Sequence, residues 1–470
     1  FTSRGTGSET ATSFNAEVTP QTGVSQSVHT TALRATAEKG SKAVPYNLSN
    51  STGAADVENT ANCYVVNAPG TYSFPLVYGN AINNGQVNYA AYTSKASIQG
   101  TLNPFINHLG NGITDPYIAK NTDCVPVKAE LVWQDAPSLV TDIKYNSGTN
   151  GGTISFKVDK ENIRQGNALI AIKDSQNTIL WSWHIWITDE NIYHTIKVTN
   201  HQNVSHDLMP IHLGWCEGEV INYAARSCQV QFIAHGQTRL ITVNQMRSTT
   251  STQGNCTFYE WGRKDPLRPS SGYAYKNKTW YNAAGIASTA NHAVESFPFG
   301  NECIKNYIRK PDVMQKEIGG DNTYFNLWNA DNNTNSNVYN DNPVTKTVYD
   351  PCPVGFAMPP SNTFTGFTTT GENVTNTVAK YNGEWNSSLP GWNFYCGPNK
   401  TGGTIFFPMT GERISSGGHL SAVGSLGHTW SATSTHSNYA HNLTLYTNYW
   451  VWPLDRFSKS AGHGVRPCLE

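Results

Sequence analysis

Alternation with a period of two dominates the chain from about residue 60 onward. Val125, Val127, Ala129, Leu131 and Trp133 fall on one face of an extended segment, and Ile154, Phe156 and Val158 alternate with Thr153, Ser155 and Lys157. Successive side chains of a strand point to opposite faces, so each segment predicts a half-buried strand, as do residues 62–66 and 71–77. The uninterrupted apolar run 168–172 predicts a strand buried on both faces. In 179–188, ILWSWHIWIT, one face is wholly apolar (Ile179, Trp181, Trp183, Ile185, Ile187), while Ser182, His184 and Thr188 share the other. Cys228, Val230, Phe232 and Ala234 then alternate with Gln229 and Gln231. A turn at 235–237 leads into 240–243, a hairpin expected to close the domain.

Eight or nine such strands, separated by turn residues and with no convincing amphipathic helix, predict a β-sandwich over residues 57–250. Residues 1–56, rich in Ser, Thr, Ala and Gly, read as a weakly ordered linker or a partial module. The stretch 248–254 contains only Ser, Thr, Gln and Gly and marks a boundary. Residues 251–470 then form a second domain with long Asn/Gly/Ser loops, such as 331–342, which display function or are flexible. The fold expected is therefore mainly β.

A chain of 470 residues is too long for one core, in keeping with two or three domains. Its formal net charge of −1 leaves no basic surplus to neutralise phosphates, so nucleic acid is not an expected partner. No segment approaches the roughly 18 to 20 apolar residues of a membrane-spanning helix. The sequence starts at Phe1, which reads as a processed or truncated export product or as a cloning choice. Nine cysteines are dispersed without C-x-x-C spacing, which argues against thiolate metal capture. They suit disulfides or buried thiols, and the odd number leaves at least one unpaired within the chain. Cys352 and Cys468, both near the strands that close the last domain, are the candidate bridge.

Five pieces follow in order toward the C-terminus: Tyr259-Glu260-Trp261-Gly262-Arg263-Lys264-Asp265-Pro266, Tyr349-Asp350-Pro351-Cys352-Pro353-Val354-Gly355-Phe356, Phe407-Pro408-Met409-Thr410-Gly411-Glu412-Arg413, Thr429-Trp430-Ser431-Ala432 and Gly462-His463-Gly464-Val465-Arg466-Pro467. In order and spacing they resemble the major paralogous lectin-like domain of Bacteroidetes surface proteins, which is similar to the C-type-lectin and formylglycine-generating-enzyme folds. Upstream, Asn62-Cys63-Tyr64-Val65-Val66-Asn67-Ala68-Pro69-Gly70 and the Trp-rich strand resemble the β-domains of fimbrillin-like proteins of gut Bacteroidetes. The resemblance spans about residues 60–470. It implies a C-type-lectin-like α+β domain over 251–470 and an extracellular adhesin, at the cell surface or outer membrane or in a fimbrium. Other fimbrial subunits are then partners through strand exchange. Physically the pieces read as architecture: prolines at 351 and 353 fix φ, Trp430 suits a core strand, and Arg466 is expected in a salt bridge.

Sets that would mark an enzyme, namely G-x-S-x-G, H-E-x-x-H, a P-loop and G-x-G-x-x-G, are missing, so no catalysis is expected. The formylglycine-generating chemistry needs two cysteines close in sequence, and Cys396 and Cys468 stand alone. Histidines 184, 194, 201, 206 and 212 lack metal-site spacing. Asp331-Asn332-Asn333-Thr334-Asn335 offers calcium-loop oxygens, but Ser336 and Asn342 occupy the places of the loop's Gly and Glu, which allows at most weak Ca²⁺ binding. No other cofactor is expected. Sugar recognition combines aromatic faces with amides and carboxylates. Two segments hold both, giving Trp385, Trp392, Asn393 and Tyr395 in one and Tyr449, Trp450, Trp452 and Asp455 in the other as candidate ligand residues. The alternative is that these aromatics pin loops to their own domain. The function expected is adhesion to a glycan or protein; glycan capture for polysaccharide uptake is the alternative, and an enzyme of the formylglycine-generating type or a glycoside hydrolase a third.

Overall fold

The computed structural model describes residues 24–25, 27–93, 99–218, 220–234, 236–251, 253–316, 324–332, 338–435, 438–447 and 449–470. The chain is mainly β, with two α-helices among the described residues. Its centre is the strand Ile179–Ile187, all nine residues of which are buried. It lies between Gly166–Lys173, antiparallel, and Cys63–Val66, parallel, in a six-stranded sheet. On its apolar face, Trp183 meets Phe74 with ring centroids 5.0 Å apart. Phe74 belongs to a second, four-stranded sheet in which Gly70–Pro75 pairs with Thr153–Val158, and the predicted alternation of Ile154, Phe156 and Val158 is the buried register there.

The other face of Ile179–Ile187 is covered as well. Ser182 and His184 are 0% and 1% exposed because residues 259–265 cover them. Ser182 Oγ donates to Asp265 Oδ1 at 2.7 Å, and Lys264 Nζ donates to the Ser182 carbonyl at 3.0 Å. Tyr259 Oη meets His184 Nδ1 at 3.2 Å. The polar residues on this face are matched to polar partners from far along the chain, as burial of such groups requires.

This docking removes the expected boundary at 250/251. Residues 28–218 and 253–470 form one compact unit. Tyr281 pairs with Gln134 in the six-stranded sheet, and Leu208 pairs with Cys468 in another sheet, so strands from both halves share ladders. Residues 28–56, expected as a weakly ordered linker, belong to this unit. The helix Val28–Ala35 buries Leu33, and Tyr46–Asn47 pairs with Tyr72–Ser73. With few large apolar residues, the segment is held by local side-chain to backbone bonds. Asn47 Oδ1 accepts from the Ser49 amide at 3.1 Å, and Asn50 Oδ1 from those of Thr52 and Ala54 at 3.0 and 3.1 Å.

The second unit comprises residues 1–27 and 219–252. Within it, Val24–Ser25, Val220–Tyr223 and Ser248–Ser251 form an antiparallel three-stranded sheet. Arg226–Ala234 and Gln237–Gln245 form the predicted hairpin, turning at Gly236 with φ 72°. It does not close a domain of residues 57–250. Among the described residues its two strands pair only with each other, and Ile233, Leu240 and Ile241 are exposed.

The C-terminal part of the larger unit holds a five-stranded sheet in the order Val374–Thr375, Trp450–Ser458, Tyr439–Tyr446, Leu426–Ser434, Gly464–Val465, with the final pair parallel. Trp430 and Trp261 cross-link it to the 259–265 segment, Trp430 Nε1 donating to the Tyr259 carbonyl at 2.8 Å and Trp261 Nε1 to that of Ser431 at 3.0 Å. Arg466 is buried, but its partners are the carbonyls of Met209 and Phe406 at 3.0 and 2.5 Å, in place of the expected carboxylate. An amphipathic helix that sequence patterning missed, Asn301–Arg309, buries Cys303, Ile304, Tyr307 and Ile308. Its two and a half turns are too short for the helical period to stand out.

Candidate functional site

The hairpin of Tyr439–Tyr446 and Trp450–Ser458 carries a continuous row of aromatic rings. Tyr446 and Trp450 are cross-strand partners with centroids 5.0 Å apart, and Trp450 and Trp452, two positions apart on one strand, stack at 4.6 Å with planes 8° from parallel. Tyr449 extends the row, 6.0 Å from Tyr446, and is 53% exposed. Tyr446, Trp450 and Trp452 are half-buried. The row is fixed from below. Trp452 Nε1 donates to Thr375 Oγ1 at 3.0 Å, and the Tyr449 carbonyl accepts from the Asn376 amide at 2.7 Å and from Tyr381 Oη at 2.5 Å. An anchored row of rings with an open rim presents apolar area at little entropic cost on binding.

Asp455, expected beside these rings as a ligand group, is turned inward. Its Oδ2 accepts from Thr444 Oγ1 at 2.6 Å, and burial raises its carboxyl above the ordinary value against the opposing effect of that bond. Thr444 also meets His428 Nδ1 at 3.0 Å.

The other candidate segment divides. It forms a separate three-stranded sheet of Gly383–Asn386, Gly391–Gly397 and Thr401–Pro408. Trp392 is only 1% exposed, enclosed by Tyr381, Trp385 and Phe394 at 5.1, 5.8 and 5.7 Å, so it is a core residue and not a ligand residue. Between its flanking glycines the segment runs as a strand whose alternate residues, Trp392 and Phe394, face the core. Trp385 is half-buried against this cluster. Asn393 is the cross-strand partner of Glu384 on the opposite face, where Tyr395 Oη donates to Glu384 Oε1 at 2.7 Å. The structure thus brings together Tyr449, Trp450 and Trp452 with Tyr446, and leaves Trp385, Asn393 and Tyr395 on a different sheet.

Cys352 and Cys468 do not form the expected bridge, and all nine cysteines are free thiols. Burial pushes the Cys468 thiol up to about 12; burial first, and the Asp350 carboxylate second, push Cys352 well above its ordinary value. Both therefore stay protonated and unreactive. The calcium-loop candidate falls largely on residues 333–337, outside the described residues. Its Asp331 accepts the hydroxyl of Thr345.

Sequence reasoning passed over one group. Glu412, His428 and His463 are all buried, and one ligand atom from each lies within 4.8 Å of the others. Two of the three stand inside pieces read as architecture, and only the fold brings residues 412, 428 and 463 to one point. Comparison with protein-family models, curated proteins and solved structures returns no match.

Proposed function

We propose that this chain is a non-enzymatic recognition protein of the cell surface, an adhesin that binds extracellular glycan along the row Tyr446, Tyr449, Trp450 and Trp452. The observation that carries this reading is the stacked Trp450–Trp452 pair, held rigid by the bond from Trp452 to Thr375 and continued by the exposed Tyr449 ring. The C–H faces of a sugar ring stack on such surfaces, and neighbouring hydroxyls and amides orient it. Only 14% of the residues are charged and the formal net charge is −1, which favours a neutral polysaccharide over a highly charged partner. The resemblance of the five C-terminal pieces to lectin-like surface proteins supports the location outside the cell, and fimbrial placement is an extension of it. Capture for polysaccharide uptake uses the same surface and differs in the partner that follows.

The test is a glycan array followed by titration of the full chain. Trp450→Ala and Trp452→Ala are expected to weaken binding about tenfold or more, while Tyr395→Phe, on the separate sheet, keeps it. A wild-type chain that binds no glycan, or two Trp variants that bind as well as wild type, would reject the reading.

A further inference from the structure

Glu412, His428 and His463 come from three separate stretches of chain. Glu412 lies in the short strand Glu412–Arg413, His428 in Leu426–Ser434, and His463 directly before Gly464–Val465. They are 8%, 2% and 0% exposed. Among the described residues, four of their polar atoms, Glu412 Oε2, His428 Nε2 and both ring nitrogens of His463, have no hydrogen-bond partner. Polar atoms taken out of water without partners are costly, and a cluster of them in one place calls for an occupant. His463 Nε2 lies 3.7 Å from Glu412 Oε2, too long for a hydrogen bond.

The tautomer of His428 follows from its neighbours. Thr444 has one hydroxyl hydrogen, and its 2.6 Å contact with Asp455 Oδ2 takes it. Its 3.0 Å contact with His428 Nδ1 then requires Nδ1–H as donor, which leaves the Nε2 lone pair free. Thr444 Oγ1 also accepts from Asn442 Nδ2 at 2.9 Å, so the 3.1 Å approach of that amide nitrogen to Nδ1 is two donors sharing one acceptor. A histidine whose far nitrogen is tied to a hydroxyl and then to a carboxylate has the outer-shell arrangement of metal-binding imidazoles.

We propose that Glu412, His428 and His463 form a buried site for one divalent transition-metal ion of the zinc class, which staples three distant parts of the chain together. Two imidazole nitrogens and one carboxylate oxygen suit zinc and its neighbours in the first row, whereas calcium and magnesium require more oxygen ligands than this set supplies. Binding involves a movement. The rings of His428 and His463 stack at 4.2 Å and 11°, so their lone pairs lie in nearly parallel planes and do not point to a common centre. One ring therefore turns on loading. Trp430, stacked on His463 at 4.2 Å, reports the turn.

The experiment uses the purified full chain, dialysed against a chelator and then titrated with Zn²⁺ or Co²⁺ alone. Expected are one equivalent bound per chain, a visible Co²⁺ absorption of low-symmetry coordination, and a change in tryptophan fluorescence that tracks it. Glu412→Gln and His463→Ala each abolish the uptake, and Thr444→Val weakens it about tenfold. His441→Ala retains it; His441 is also buried but lies outside the cluster. A wild-type chain that takes up neither ion, preference for Ca²⁺ over Zn²⁺, or undiminished uptake by the soluble Glu412→Gln variant would overturn the proposal. If a histidine variant fails to fold, the wild-type titration and Glu412→Gln still decide.

Discussion

Tyr259 donates its hydroxyl hydrogen to Nδ1 of His184 across 3.2 Å, joining residues 75 positions apart in the middle of the core. The bond continues a chain of matched donors and acceptors. Nε2 of His184 donates to Asn167 Oδ1 at 2.9 Å, and Asn167 Nδ2 donates to Asp135 Oδ2 at 2.9 Å. Every group in that line has one consistent role only if His184 is neutral and carries its proton on Nε2. Burial enforces this, holding the His184 pKa down to about 3.

Acid should therefore destabilise the fold through His184. Its pKa is about 3 when folded and 6.5 when free, so between these values the unfolded chain binds the extra proton. The stability contribution is complete above pH 6.5 and is lost progressively as the pH falls toward 3. At pH 5 the loss is about 2 kcal/mol from this residue alone, at 1.36 kcal/mol per unit. Comparing urea midpoints of wild type and His184→Gln at pH 7.5 and pH 5 isolates it from the carboxylates. The gap between the two proteins should narrow on acidification, and a constant gap would refute the assignment.

Because residues 28–218 and 253–470 share ladders and the Tyr259–His184 line, a fragment of residues 251–470 should not fold by itself. It lacks Gln134, the partner of Tyr281, and Leu208, the partner of Cys468. It also exposes Tyr259, Trp261 and Lys264, all buried in the intact chain. Circular dichroism and calorimetry of the fragment should show no cooperative transition, and a two-state melt with native-like near-ultraviolet signal would restore the boundary at 250/251.

The strands were legible because their alternation is local. Ile154, Phe156 and Val158 declare one buried face without reference to anything else, and so does the row from Ile179 to Ile187. What is covered by a distant segment was not legible. The partners of Ser182 and His184, Asp265 and Tyr259, lie 83 and 75 positions away. The same holds for the sites. Trp450 and Trp452 sit at i and i+2 on one strand, so their adjacency can be read directly. Trp392 has the same composition around it, and only the sheet register shows that it faces inward. Glu412, His428 and His463 are 16 and 35 positions apart, beyond any local period, and their meeting is a product of the fold alone.

Gly70 should tolerate no side chain. It has φ 155°, and a Cβ there would lie 1.9 Å from the carbonyl oxygen of Lys39. That oxygen accepts from the Thr71 amide at 3.0 Å, which ties the segment around residue 39 to the four-stranded sheet. Gly70→Ala must break this tie or distort the backbone, at a cost of about 2 kcal/mol or more. Thermal unfolding would show a lowered midpoint, and limited proteolysis should find new cleavage between residues 36 and 45. An unchanged midpoint would mean that the approach of Lys39 is not maintained in solution.

Trp392 and Trp450 separate packing from recognition. Both are tryptophans near glycine or tyrosine in Asn-rich sequence, yet one is enclosed by Tyr381, Trp385 and Phe394 and the other has an open rim. Trp392→Ala leaves a cavity in a close-packed cluster and should cost about 3–5 kcal/mol of stability. Trp450→Ala removes a half-exposed ring supported mainly by its neighbours in the row and should cost roughly 1 kcal/mol. Denaturant midpoints at fixed slope measure the difference directly. Any loss of glycan binding in Trp392→Ala should follow the unfolded fraction and vanish under conditions where the variant is fully folded, whereas the loss in Trp450→Ala should persist there. Equal stability losses in the two variants would mean that the enclosure of Trp392 is not the feature that distinguishes them.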